Sequence, residues 1–223
     1  MSTDDYLALI DAASVYDVAR ESPLELAENL SIRLGNRILM KREDLQPVFS
    51  FKLRGAYNKL ASLSDDELGA GVICSSAGNH AQGVAYHANR LGIPAYIVMP
   101  EPTPTVKIEN TRGHGANVLL KGTQLEEAAE FAHAYGREHG LTFVHPYDDP
   151  LVIAGQGTIG LEMLAHVPDL DVLVVPIGGG GLISGISIAA KAIKPEIEVV
   201  GVQAQLYPSM YNAIRGEDLP MRG

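Results

Sequence analysis

Val172-Leu173-Val174-Val175-Pro176-Ile177-Gly178-Gly179-Gly180-Gly181-Leu182 is the stretch that decides the fold. Its first six residues are apolar and largely β-branched, with no polar alternation, as expected of a parallel strand covered on both faces. The glycines that follow permit positive φ and put no side chain in the way of a ligand. A helical pattern, Leu182–Ile193, comes next. Backbone N–H groups at such a strand–loop–helix junction converge where the helix N-terminus favours negative charge, so the loop is a candidate phosphate site. The competing reading is a tightly packed turn. The spacing matches neither a dinucleotide fingerprint nor a P-loop, since no Lys-Ser/Thr follows.

The same alternation extends outward. Val72–Cys74, Ala95–Met99, Asn117–Leu120, Phe143–Val144 and Val199–Val202 read as further buried strands, and Ala81–Arg90, Gln124–Glu138 and Val152–His166 as the helices between them. This order predicts an α/β fold with a mainly parallel sheet. Ser64-Asp65-Asp66-Glu67 fits a capping box, and Gly92 fits a helix C-terminal cap. Pro100, Pro102 and Pro104 stiffen one loop. The first seventy residues are less regular, with helices expected over Tyr6–Asp17 and Phe51–Leu60 and a strand at Arg37–Lys41. The last residues, Arg215–Gly223, read as a turn-like stretch after a short helix, and the chain is expected to stop before its domain is complete.

Composition narrows the function. A net charge of -10 over 223 residues repels phosphates and so opposes a nucleic-acid or anionic-membrane partner. No apolar stretch is long enough to span a bilayer. The N-terminus Met-Ser-Thr-Asp-Asp lacks the basic region of a signal peptide, which points to the cytoplasm. The single cysteine, Cys74, lies in the run Gly71-Val72-Ile73-Cys74 and reads as a small core residue. The histidines show no metal-ligand spacing, and no metal is expected.

Two other stretches carry chemistry. In Ser50-Phe51-Lys52-Leu53-Arg54-Gly55, Ser50 is a candidate N-cap that places Lys52 in the first helical turn. The positive helix end lets an amine there lose its proton more easily, as a Schiff-base lysine must; taken alone, a solvated surface lysine is the commoner case. Ser75-Ser76-Ala77-Gly78-Asn79-His80-Ala81-Gln82-Gly83 follows a strand and opens a helix, offering backbone donors to a carboxylate. Asn79 can donate or accept a hydrogen bond. An ordinary β–α turn with a capping Ser or Asn competes with that reading, and His80 is not cast as a base.

Together with Lys41-Arg42-Glu43-Asp44 and Ala154-Gly155-Gln156-Gly157-Thr158, these motifs resemble, in order and spacing, the fold type II (β-family) pyridoxal-5′-phosphate (PLP) enzymes. Within that family the resemblance is to the threonine/serine dehydratases, and it covers nearly the whole chain. It implies an α/β fold with two open, twisted, mainly parallel sheets and flanking helices. A smaller domain would span 71–148, and a larger PLP-binding domain 1–70 with 149–223, the active site lying between them. Lys52 would carry PLP and act as catalytic base, Phe51 would lie beside the cofactor, and Asn79 would bond the pyridine hydroxyl. Gly178, Gly179, Gly180, Gly181 and Leu182 would hold the phosphate. Ser76, Ala77, Gly78, Asn79, His80 and Gly155 would bind an amino-acid substrate. The implied reaction converts L-threonine to 2-oxobutanoate and ammonia, with L-serine to pyruvate alongside, and the implied assembly is a homo-oligomer.

Three departures qualify the resemblance. The family places a group against the pyridine nitrogen in a segment beyond residue 223. Serine racemases carry a serine where this chain has Ala77, so a proton donor for racemisation is missing. The strand after the glycine loop ends in neutral Gln203 rather than a glutamate, a weaker ligand for a hard cation. The alternatives are a serine dehydratase, a serine racemase, a cysteine synthase-like enzyme, or a truncated chain that binds without turnover.

Overall fold

The computed structural model describes residues 1–221. In chain order its elements are α1 (Thr3–Asp11), β1 (Leu24–Leu26), α2 (Glu28–Leu34), β2 (Leu39–Lys41), α3 (Lys52–Leu60), α4 (Asp65–Ala70), β3 (Val72–Ser75), α5 (Asn79–Leu91), β4 (Ala95–Met99), α6 (Thr105–Gly113), β5 (Asn117–Leu120), α7 (Leu125–His139), β6 (Thr142–Phe143), α8 (Pro150–His166), β7 (Val172–Ile177), α9 (Gly181–Ile193), β8 (Glu198–Gln203) and α10 (Ser209–Arg215). They form two compact units: Ser14–Pro146, and Met1–Ala13 with Tyr147–Gly223. The last two residues of the second unit, and of the larger domain expected from the sequence, lie outside the described residues.

The first unit is built on a four-stranded, all-parallel sheet of order β5-β4-β3-β6. Side chains alternate across it. Val72 and Cys74 of β3, with Ile97 and Met99 of β4, pack on one face with Ala56 and Leu60 of α3 and Ala81, Val84 and Ala85 of α5. Ile73 and Val98 point the other way, into Ala128 and Ala132 of α7. Both faces are covered, so every residue of β3 is buried and the run shows no polar alternation. A short antiparallel pair, β1 with β2, belongs to the same unit.

The second unit pairs β7 with β8 in parallel over six residues. Its helices α8 and α9 approach backbone to backbone: a Cβ on Gly185 would lie 2.4 Å from Ile153 O, and one on Gly157 3.0 Å from Gly185 O. Ile10 of α1 and Ala154 and Ala189 of α8 and α9 close this core. Among the described residues, the burial of this pair alternates. Leu173 and Val175 are buried, whereas Val172, Val174, Val200 and Val202 are exposed among the described residues. Helix α9 lies against β7, and with this alternation only one face of the pair is covered.

Other local expectations shift. The helix expected over Tyr6–Asp17 ends at Asp11, and a single 3-10 turn follows at Val15–Asp17; the Ser14 N–H bonds Asn58 Oδ1 (3.1 Å) instead of continuing the helix. Residues 14–70, expected to group with the C-terminal segment, join the unit containing 71–146. Packing of α3 on α5 and the bond from His87 Nε2 to Leu53 O (2.9 Å) hold them there. The Ser64–Glu67 capping box and the left-handed Gly92 cap (φ 69°) form as expected. Among the described residues, no helix is long and apolar enough to cross a membrane.

Candidate active site

Each unit presents a set of the expected site residues at the carboxyl ends of its parallel strands, where open α/β sheets place ligands. In the first unit, Phe51 rather than Ser50 is the N-cap of α3, so Lys52 is the first helical residue. Ser50 still serves the helix end: its Oγ accepts from the Lys52 N–H at 3.2 Å. The Lys52 amine turns inward and donates to Pro146 O (2.5 Å), with its Nζ 5.6 Å from the centre of the Phe51 ring. Burial pulls this amine from 10.5 down to about 8, and the neighbouring Cys74 opposes the shift. Desolvation is what prepares the amine. Cys74 itself is fully buried, and burial pushes its thiol far up, so it is inert core packing.

The loop after β3 leads into α5. Gly78 is the N-cap and offers no side chain to the free N–H groups of the first turn. Ser76 Oγ accepts from the Gly78 N–H (3.2 Å), Ala77 leans on the core, and Asn79 is exposed at the helix start. His80 points the other way. It is buried, its Nε2 bonds Val144 O at 2.9 Å, and burial, with Lys52 nearby, holds it down to about 3. A carbonyl only accepts, so Nε2 carries the proton and the ring is neutral. Gly83, one turn further on, faces α3: a Cβ there would lie 3.3 Å from Lys52 O. The helix that carries Asn79 thus packs directly on the backbone of Lys52. Ser75, which the sequence reading left without a role, ends β3 with a buried Oγ that has no protein partner among the described residues.

In the second unit, Gly178–Gly181 joins β7 to α9. Gly178 and Gly179 are exposed; Gly180, in the left-handed region at φ 95°, is the N-cap, and no side chain caps the helix. A Cβ on Gly179 would strike the Tyr147 ring at 2.3 Å, and one on Gly181 would meet Tyr147 O at 2.6 Å. Tyr147 is a second residue that the motif reading missed. Gln203 Oε1 accepts from the Met210 and Tyr211 N–H groups, both at 3.1 Å, and so serves the start of α10. Leu182 is half-buried in the first turn of α9. Gly155 lies buried within α8, its carbonyl accepting from Thr158 Oγ (2.7 Å). The surrounding Ala154–Thr158 motif contributes Gly157 to the α8–α9 seam.

These residues fit the cofactor that the resemblance implies. The Lys52 amine is shielded from water and carries a lowered proton affinity, as imine formation requires. The glycine loop leaves N–H groups at a helix start without a side-chain cap, as a phosphate requires.

Comparison with known proteins accords with this. Residues 15–222 match the family model described as pyridoxal-phosphate dependent enzyme. The chain belongs to the pyridoxal-phosphate dependent enzyme family. It is 54% identical over 209 residues to a biosynthetic L-threonine dehydratase of Burkholderia multivorans, a match covering 92% of this chain and 41% of that protein. The structure of the processed form of threonine deaminase isoform 2 from Solanum lycopersicum superposes with a TM-score of 0.92 at 49% identity, covering 96% of this chain and 60% of that one. Maize serine racemase superposes with a TM-score of 0.90 at 33% identity, covering 98% and 67%. The chain thus spans less than half the length of the Burkholderia relative. PLP is the cofactor of the family, and the fold is the α/β arrangement of its fold type II members.

Proposed function

We propose that this chain carries the cofactor-binding and catalytic residues of a threonine dehydratase, which converts L-threonine to 2-oxobutanoate and ammonia and L-serine to pyruvate. The observation that carries the reading is the buried Lys52 amine, held at about 8 beside a carbonyl. PLP, when bound, supplies an electron sink for the substrate α-carbon. The chain's own residues do the rest. Lys52 attaches the cofactor and, part-deprotonated near neutrality, takes the α-proton. Phe51 packs beside it, and Asn79 bonds the pyridine hydroxyl. Gly178, Gly179, Gly180, Gly181 and Leu182 hold the phosphate by backbone N–H groups. The uncapped turn after Gly78, with Ser76, Ala77 and His80 shaping it, takes the substrate carboxylate, and Gly155 contributes from α8.

Elimination is favoured over racemisation because Ala77 offers no proton for the opposite face of the α-carbon, although the maize racemase has a similar fold. Threonine is favoured over serine on the relative's name alone: one methyl in an apolar pocket is worth only about 1–3 kcal/mol of discrimination. An assembly of identical copies belongs to the same reading, supported by the family resemblance. So does the cytoplasm, a reducing compartment suited to a single buried thiol.

The test is borohydride reduction of the chain with PLP, followed by mass mapping and assay of 2-oxo acid release from threonine and serine. The expected result is a pyridoxyl adduct on Lys52, lost in Lys52→Ala, with 2-oxobutanoate formed from threonine. An adduct spread over surface lysines would sink the assignment of Lys52.

A further inference from the structure

Arg54, two residues after Lys52 in the chain, anchors a buried ionic cluster that the reaction does not use. Arg54 is completely buried, and its guanidinium grips Glu43 at both oxygens: Nε to Oε2 at 2.9 Å and a terminal nitrogen to Oε1 at 2.8 Å. Glu43 also accepts from Ser22 Oγ (2.6 Å) and, at longer range, from Gln46 Nε2 (3.3 Å). Gln46, itself 1% exposed, binds Arg20 from both ends: Nε2 donates to Arg20 O at 2.7 Å, and Oε1 accepts from the Arg20 N–H at 3.0 Å. Arg54 adds a bond to the same carbonyl at 3.3 Å. Three separated segments, 20–22, 43–46 and 54, are thus tied at one point.

A buried ion pair is a poor source of net stability, because desolvation offsets the attraction. Its geometry, however, is demanding: a guanidinium fork fits one placement of a carboxylate. Here the two anchored positions, Gln46 and Arg54, bracket the segment that delivers Lys52. Between them the Phe49 N–H bonds Gln46 O (2.7 Å) and Phe49 is held at φ 55°. Ser50 then receives the Lys52 N–H. From the other side, Gly83 and His87 of α5 close on the same turn, with His87 Nε2 donating to Leu53 O at 2.9 Å.

We propose that the Arg54–Glu43 pair, locked by Ser22 and Gln46, is a positioning device that fixes the 46–52 turn and thereby the location and burial of the Lys52 amine. The inference rests on the assignment of Lys52 as the cofactor-bearing residue. Arg54 touches neither cofactor nor substrate and acts through the backbone.

The test uses Arg54→Lys, which keeps the charge and loses the fork, and Ser22→Ala, which removes one support of Glu43 without stranding a charge. Both are made in the full chain beside the parent and Lys52→Ala. Without cofactor, the labelling rate of Lys52 by an amine reagent is followed against pH by mass spectrometry. PLP affinity is then measured by fluorescence, and folding by circular dichroism and urea midpoint. The parent is expected to show a labelling midpoint near 8. In Arg54→Lys the midpoint should move up toward that of an ordinary lysine, and PLP should bind about 10- to 100-fold more weakly, the scale of a small misplacement of a reacting group. Ser22→Ala should move both readouts the same way by less. A folded Arg54→Lys chain with the parent's midpoint and affinity would overturn the proposal; if that variant does not fold, unchanged readouts in folded Ser22→Ala would do so. A parent in which PLP binding is indifferent to Lys52→Ala defeats the Lys52 assignment instead, an outcome distinct from either.

Discussion

The two parallel sheets are written in the same alphabet and end in different surroundings. Val72-Ile73-Cys74 and Val172-Leu173-Val174-Val175 are apolar runs that lead toward the two candidate ligand loops. In the first, α5 and α7 cover opposite faces and every residue is buried. In the second, alternate side chains stay open, Val174 at 68% and Val202 at 52% exposure. An apolar run therefore reports that a strand tolerates burial on both faces. Which faces are covered is decided by the helices that pack on it, and that information lies elsewhere in the chain.

Truncation breaks this comparison most directly. Ile97→Ala, at a fully buried position of β4, should lower unfolding free energy by about 2–5 kcal/mol, as the lost methylenes leave a cavity. Val174→Ala should cost less than about 0.5 kcal/mol, as a surface change does. Urea unfolding of both variants measures the gap; equal losses would mean that the exposed face of β7 is covered in solution. Within the second unit the sensitive place is the helix seam. Gly185→Ala puts a Cβ 2.4 Å from Ile153 O. Backbone cannot rotate aside as a side chain can, so a loss of about 1–3 kcal/mol or more is expected in the same assay.

Acid separates the units by a different property. Burial lowers His80 from 6.5 to about 3 and His87 from 6.5 to about 4, with Lys52 and His145 acting on the former and Arg90 on the latter. Between those values the unfolded chain binds protons that the folded chain refuses. The stability tied to these rings is fully present above about pH 6.5 and is lost as pH falls toward 4 and 3. Both rings belong to the first unit, whereas the second carries only His166. Amide exchange followed from pH 7 to 4.5 should show β3 and β4 losing protection while β7 and β8 change less, and His87→Asn should flatten part of that slope.

What could be read in advance tracks the range of the forces involved. Ala95–Met99, Asn117–Leu120 and Val172–Ile177 have the strand limits read from sequence because short apolar runs end at turn residues. The short strand Leu24–Leu26 carries Glu25 at its centre and exists only because it pairs with β2 across α2. Helix α6 escaped because it has almost no apolar face, burying only Ile108 and Thr111. At the site, Lys52, Asn79 and the glycine loop lie within local motifs. Pro146 O, 94 residues from Lys52, does not. Nor do the Glu43 grip on Arg54 and the Tyr147 ring behind Gly179, which are contacts that chain folding alone creates.

The smallest effect tests whether apolar exposure by itself matters in either unit. Phe49 is 77% exposed, more than Val174, yet it sits in the left-handed region at φ 55°. That conformation costs a non-glycine residue about 1–2 kcal/mol. Phe49→Gly removes this strain and little burial, but it also frees the unfolded chain, which offsets about 0.4–1 kcal/mol of the gain. A net stabilisation of about 0–1.6 kcal/mol is expected from the difference between these two terms. Val174→Ala, on an unstrained strand, has no strain to release and should move the urea midpoint slightly down or not at all. Opposite signs for the two substitutions would show that backbone conformation, more than the exposed side chain, sets the energy at these sites. A loss of stability in Phe49→Gly would mean instead that the ring is packed in solution against something that its turn was strained to reach.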